Sequence, residues 1–486
     1  NIGANMGSIV ANGAGSTGVL TINTGTATFT SGATVGTTDV RSFIAIGQNS
    51  TASGTSTGTI NLNGGTLATG RNFVRDGAGT ADASGSATFN FAGGTLKALA
   101  NQTDWLNSAT INTNQLALTS VTATNTSTID AGGFSVAINS AISGTGGFNI
   151  TNSTGTGTVT FGGANTYSGA TTVSAGTFSL GNALALQNSA LDTTASIAGT
   201  STAGLKTTVT TLTMGGLTGN KDLASVFTTT SGGYSGVTAL TLNPGTGVTN
   251  AYSGVIADGA AGMTLTKTGL GTQTLTGANT YTGGTIVTTG TLLVKNTTGS
   301  GTGTGTVSVS GTLGGTGIIT GDTTINSGGV LTAGATTAAT DIGTLAFSGA
   351  LTLASLTSTI NLQAASTSSY DKFTVGGALT YNGIFSVSDT GGFDLSGQNG
   401  TYNLFSGFTS QTGDFASVTV DGIGLSLVGS TWSGTNAGIS YSFSETSGSL
   451  DITAVPEPST WVGAGLITGL AGWSQRRRLQ KLALRA

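Results

Sequence analysis

One kind of segment recurs along most of this chain and limits what it can fold into. Short runs alternate an apolar residue with Thr, Ser or Asn. Examples are Val19-Leu20-Thr21-Ile22-Asn23, Thr59-Ile60-Asn61-Leu62-Asn63, Ala87-Thr88-Phe89-Asn90-Phe91, Thr264-Leu265-Thr266 and Thr306-Val307-Ser308-Val309-Ser310. Gly pairs or Gly-Thr bound each run. Period-two alternation reads as a half-buried strand, and Gly, Asn and Asp supply the turns between strands. Before residue 455 no segment reads as a long amphipathic helix; Gly181 to Gln187 is too short to change the class.

The runs belong to internal repeats. Gly163-Ala164-Asn165-Thr166-Tyr167-Ser168-Gly169 reappears 114 residues later as Gly277-Ala278-Asn279-Thr280-Tyr281-Thr282-Gly283. The match continues through Thr171, Val173 and Gly176-Thr177 to Thr285, Val287 and Gly290-Thr291, so that 10 of 18 positions are identical. A weaker pair, 29 residues apart, joins Ile60–Leu67 to Phe89–Leu96. Stacked repeats of short strands predict an all-β fold, a parallel β-solenoid whose Val, Ile, Leu and Phe face a narrow core while Thr and Asn stack outside. Antiparallel sandwiches use the same short strands and Gly-rich turns. The solenoid is expected over residues 1–350. From 351 to 454 aromatic residues become denser (Phe373, Tyr381, Phe385, Phe405, Phe415), which suggests a broader β cap.

Composition matters chiefly for what it excludes. Of 486 residues 83 are Gly and 97 Thr, and there is neither His nor Cys. That removes His- or thiolate-ligated zinc, Ser-His-Asp and Cys-His nucleophiles, and disulfides. No cofactor is expected. Collagen fails for want of a three-residue Gly period and of Pro, of which there are 3. Residues 1–454 hold 9 basic and 17 acidic side chains, a net charge of −8 with no basic stripe, so no nucleic acid partner is expected. The chain starts at Asn1 without a charged and apolar leader, which suggests a processed or truncated start that a signal peptide could have preceded.

The last 32 residues are a different element. Val455-Pro456-Glu457-Pro458-Ser459 is followed by an uncharged stretch, 460–473, and then by Ser474-Gln475-Arg476-Arg477-Arg478. The order is an extended motif, a short apolar helix bracketed by Trp461 and Trp473, and a basic stop that suits the cytoplasmic side of a membrane. The apolar stretch is shorter than the roughly 20 residues of a full span.

In that order, the three parts resemble the PEP-CTERM protein-sorting signal of Gram-negative bacteria. The resemblance implies export, transient anchoring of 460–473 in the inner membrane, and processing by an exosortase, a membrane transpeptidase-like enzyme. It assigns Val455, Pro456, Glu457, Pro458 and Ser459 as the sorting motif and Arg476, Arg477 and Arg478 as the orientation signal. The body would be released to the cell envelope, surface or extracellular matrix. Within the body, Leu265–Leu275 followed by Gly277–Thr285 resembles the autotransporter-associated β-strand repeat of passenger domains; the clearest copies are 161–180 and 265–294. That resemblance implies a right-handed parallel β-helix and no chemistry. The chain does not end in alternating membrane-barrel strands.

These features predict a non-enzymatic, adhesin-like structural protein that belongs to or adheres to an exopolysaccharide matrix. The alternative is a β-helical polysaccharide-binding or polysaccharide-degrading protein, which needs a carboxylate cluster with an Arg or Lys. Arg71, Arg75 and Asp76, with Asp82 nearby, form the best local cluster, and a surface ion pair on a turn explains it as well. Alternating Thr at Thr24-Gly25-Thr26-Ala27-Thr28 and Thr302-Gly303-Thr304-Gly305-Thr306 raises ice binding. A lattice match needs many turns of equal length, so these read as ordinary external Thr.

Overall fold

Inward apolar residues and outward hydroxyls fall into columns because successive strands pair in parallel and in register. The computed structural model describes residues 8–12, 16–30, 43–48, 56–75, 85–109, 116–230, 232–334, 342–390 and 393–454. In these the fold is all-β, and the helical segments are three 3-10 turns, Leu223–Val226, Tyr234–Gly236 and Leu395–Gly397. The chain divides into two compact units, Asn1–Thr324 with Phe347–Gly349, and Ile325–Ala346 with Ala350–Ala486.

In the first unit, Thr26–Phe29, Thr66–Thr69, Thr95–Ala98, Ser127–Asp130, Phe148–Thr151 and Thr171–Val173 form one parallel ladder. Its register lines up Thr26, Thr66, Thr95, Thr128, Asn149 and Thr172 in an outward column. One residue further along each strand, Leu67, Leu96, Ile129, Ile150 and Val173 form an inward column, all buried. The period of two produces both columns from one sequence pattern. A second ladder joins Thr17–Ile22, Thr57–Leu62, Ser86–Phe91 and Ser120–Ala123. Outside it, Asn90 Nδ2 donates to Asn61 Oδ1 (3.3 Å) and Thr122 Oγ1 to Asn90 Oδ1 (3.0 Å).

Between the ladders runs a file of aromatic rings. Phe73, Phe89, Phe91, Phe148, Phe161 and Phe178 follow one another with centroids 4.8–5.5 Å apart, mostly edge to face. Such pairs add about 0.5–1.5 kcal/mol each beyond the area they bury.

The second unit begins in the same way. Thr359–Ala364 pairs in parallel with Val330–Thr332 and with Ile384–Asp389, which pairs with Ser417–Val420. The direction then changes. Ser426–Val428, Thr431–Asn436, Ile439–Ser444, Ser449–Ala454 and Gly400–Asn403 make a five-stranded antiparallel sheet. Two tight turns of this unit, one after Ser417–Val420 and one between Thr431–Asn436 and Ile439–Ser444, place the non-glycine residues Asp421 and Ala437 at positive φ, +50° and +49°. The aromatic-rich core of this unit includes Phe385 stacked on Phe415 at 5.0 Å and touching Phe443 at 5.0 Å.

Candidate functional site

The residues repeated between the two copies are those that bind neighbouring rungs of the ladder together. Asn165 is 1% exposed. Its Oδ1 accepts from Ile142 N (2.9 Å), 23 residues back, and its Nδ2 donates to Ala185 O (2.9 Å), 20 residues ahead. Asn279 repeats this: Ile256 N donates to its Oδ1 (2.8 Å), and its Nδ2 donates to Gly301 O (2.6 Å). One carboxamide thus serves three successive rungs, a task that needs a donor and an acceptor on one short side chain. Beside it, the buried Tyr167 meets Thr171 Oγ1 and the buried Tyr281 meets Thr285 Oγ1. Burial pushes both phenols far above their ordinary acidity range, so they remain neutral. The repeated Gly176 and Gly290 both have positive φ, +72° and +63°. These networks fix backbone.

Lys267 stands at an inward position of the second copy and is fully buried. Its Nζ donates to the carbonyls of Thr268 (2.6 Å), Gly269 (2.9 Å) and Thr289 (3.2 Å). Burial lowers its pKa to about 8.

In the cluster proposed around Arg71, two bonds from the arginine side chains reach backbone carbonyls. Arg71, 2% exposed, donates from Nε to Thr30 O (2.8 Å), and its own carbonyl accepts from Trp105 Nε1 (3.1 Å). Arg75 donates from Nη1 to Gly85 O (2.8 Å). Asp76 and Asp82 lie outside the described residues, as does Asp341. Asp192 accepts from the backbone of Thr194 and Ala195, and Asp258 from Met263 and Thr282.

Carboxylates do converge elsewhere. Asp389, Asp394 and Asp421 bring one oxygen each within 4.8 Å of the others. Asp421 is shifted above the usual carboxylate range by burial and by the fields of Asp389 and Asp394. No sequence spacing announced this group, because the fold joins the end of the strand Ile384–Asp389, the residue before the 3-10 turn Leu395–Gly397 and the turn at Asp421. A buried acid was missed for the same reason. Glu445 is fully buried; its Oε1 accepts from Phe415 N (2.9 Å) and Trp432 Nε1 (2.8 Å).

The sorting residues Val455, Pro456, Glu457, Pro458 and Ser459, the stretch 460–473 and Arg476, Arg477 and Arg478 all lie outside the described residues. No helix among the described residues is long and apolar enough to cross a membrane.

Comparison with known proteins bears on both parts of the chain. Residues 154–180 and 265–294 match the passenger-associated-transport-repeat, and residues 454–478 match the PEP-CTERM protein-sorting motif. No curated protein shows a significant match. The repeat matches cover both copies of the Asn-Tyr network. The chain therefore carries two passenger-associated-transport-repeats on an all-β body and a PEP-CTERM sorting signal, the mark of exosortase-dependent export to the cell surface.

Proposed function

We propose that this is a non-enzymatic structural protein of the cell surface. Its body, 1–350, is a right-handed parallel β-helix followed by a β region, 351–454, and it serves as part of, or an adhesin for, an exopolysaccharide matrix. The tail 455–486 holds the exported chain transiently in the inner membrane of a Gram-negative cell through 460–473. The side chains of Arg476, Arg477 and Arg478 stay on the cytoplasmic face until exosortase cuts near Pro456-Glu457-Pro458. The observation that carries this reading is the sorting-motif match at 454–478, directly behind a body whose repeated residues are spent on holding rungs together.

The test is to express the chain in its native host with an epitope in the body and to delete Pro456–Ala486. Fractionation should show the intact chain processed and at the surface, and the deleted form retained inside the envelope but folded. Equal surface delivery of both forms would sink the sorting claim. Turnover of a polysaccharide by the purified chain, abolished by Asp421→Asn, would overturn the non-enzymatic reading.

A further inference from the structure

In the second unit the parallel ladder gives way to the antiparallel sheet beside three carboxylates. The strands Ile384–Asp389 and Ser417–Val420 pair with Val387 opposite Val420. The next residue, Asp421, donates its backbone N–H to Val387 O (2.8 Å), which seats its turn beside the end of the first strand, at Asp389. Asp394 joins them from the start of the 3-10 turn, where Ser396 N holds its Oδ1 at 2.9 Å. One oxygen from each residue comes within 4.8 Å of the others. Asp389 is half-buried and the other two are exposed, so ions in the solvent reach the group.

Three carboxylates near a surface do not by themselves call for an ion. What points to one is the side chain beneath them. Alternation sends Phe385, Val387 and Asp389 to one face of their strand, and Tyr441 and Phe443 to one face of theirs. Phe385 meets Phe443 at 5.0 Å, so the two faces oppose each other. Tyr441 is fully buried, and its hydroxyl has no hydrogen-bond partner in the protein. The charged groups whose fields reach this phenol are Asp421 and Asp394, which sets it pointing at the cluster. A buried hydroxyl left unpaired is costly, and the nearest remedy is an acceptor from the group it faces.

Mutual repulsion holds the carboxylates apart. A cation among them removes the repulsion and draws their oxygens inward over Tyr441, whose O–H then finds its acceptor. Donors that are all oxygen, with no nitrogen or sulfur, select a hard cation. Ca²⁺ bonds oxygen at about 2.3–2.6 Å in flexible geometry, and so spans oxygens as far apart as these; Mg²⁺ demands about 2.0–2.1 Å and near-octahedral order. Carboxylates that hold a metal are in turn oriented by hydrogen bonds from the residues behind them. We propose that Asp389, Asp394 and Asp421 bind one Ca²⁺ ion, with Tyr441 as a positioning residue whose hydroxyl donates to a ligating carboxylate. The site stands independently of how the chain is sorted.

The test is calorimetric titration of the purified full chain, stripped of metal with EDTA and exchanged into chelator-free buffer, with CaCl₂ and with MgCl₂. Calcium should bind with a Kd of about 10⁻⁴–10⁻³ M, the range of extracellular modules, and magnesium at least about tenfold more weakly. Asp421→Asn suits the positive φ of its position, which Asn tolerates. It should weaken calcium binding about tenfold or more and, by easing the repulsion, leave the calcium-free unfolding midpoint unchanged or raised. Tyr441→Phe should also spare the calcium-free midpoint while weakening calcium binding about tenfold, a split that a merely structural hydroxyl would not give. Absence of calcium binding, equal affinity for magnesium, or calcium binding indifferent to Asp421→Asn would overturn the site. Unchanged affinity in Tyr441→Phe would overturn the part given to the phenol.

Discussion

The phenol of Tyr281 donates to Thr285 Oγ1 at 2.6 Å, and Thr285 passes its own proton to Thr302 O at 2.9 Å, one rung on. In the other copy Tyr167 meets Thr171 at 2.7 Å, and Thr171 meets Ser189 at 2.8 Å. Tyr281→Phe removes the first bond and leaves Thr285 its carbonyl partner. The expected loss is about 1 kcal/mol, against about 3–5 kcal/mol for Tyr281→Ala, which empties the core site as well. Denaturant midpoints of the two variants check this, and a Phe variant as damaged as the Ala one would deny the hydroxyl its separate role.

Asn279 should matter more than its size suggests. Asn279→Ala leaves Ile256 N and Gly301 O unpaired in a buried site, at a cost of about 2–4 kcal/mol. Asn279→Asp should be at least as harmful at neutral pH, because a carboxylate cannot donate to Gly301 O. It should recover below about pH 4, where the acid regains a proton. Unfolding curves at pH 3.5 and 7 would separate the two effects.

How much of this was readable in advance depends on the distance over which each residue acts. The alternation in Thr57–Leu62 names its own inward residues, and Ile60 and Leu62 are fully buried. The Asn-Tyr motif announced itself by repetition. The reason for Asn did not, because its partners lie 20 to 23 residues away on rungs whose register no local pattern specifies. Lys267 follows the alternation into the core, where a charge would not be expected until three carbonyls are seen to converge on it. Glu445 meets Phe415 and Trp432, 30 and 13 residues away, only because the chain turns antiparallel. The tail is the opposite case. Its signal is linear, and the order of its three parts is visible without a fold.

Lys267 gives the stability a pH dependence on the alkaline side. Its folded pKa, about 8, lies below the ordinary value near 10.4, so the folded state releases this proton first. The contribution of the residue is therefore complete above pH 10.4 and is lost as pH falls to about 8. Between pH 8 and 9.5 the native chain should gain stability relative to Lys267→Met. Guanidinium midpoints across that range would show it, and parallel profiles for the two proteins would contradict it.

Glu445 acts in the other direction. Burial raises its pKa, the bonds from Phe415 and Trp432 oppose the rise, and the nearby Asp414 carboxyl adds to it. Its contribution is present below the ordinary Glu value of about 4.3 and is lost as pH climbs through the raised one. Glu445→Gln keeps both acceptor bonds and removes the charge, so it should gain on the native chain as pH rises from 4 to 8. Glu445→Ala, which orphans two buried donors, should lose about 2–4 kcal/mol throughout. Tryptophan emission should report both, since Trp432 is one of the donors.

Gly290 sits at φ +63°, and a Cβ built there would press on the carbonyls of Gly269 and Gly271. Both the backbone conformation and the close approach disfavour a side chain. Gly290→Ala should cost on the order of 2 kcal/mol or more, and limited proteolysis should find a new cut in 284–295. Gly262→Ala, also at positive φ but with open space around it, should cost about 1 kcal/mol.

The ladder also sets an order of assembly. Asn63 N donates to Ile22 O, Thr119 N to Ala87 O and Thr166 N to Ile142 O, so each rung is completed by one already laid down 24 to 41 residues before it. Contacts between nearest neighbours let folding propagate along a chain instead of awaiting its far end. With no cysteine in the sequence, rungs laid one upon the next lock by backbone hydrogen bonds and packing alone, and an oxidising compartment adds nothing to the stability of the ladder.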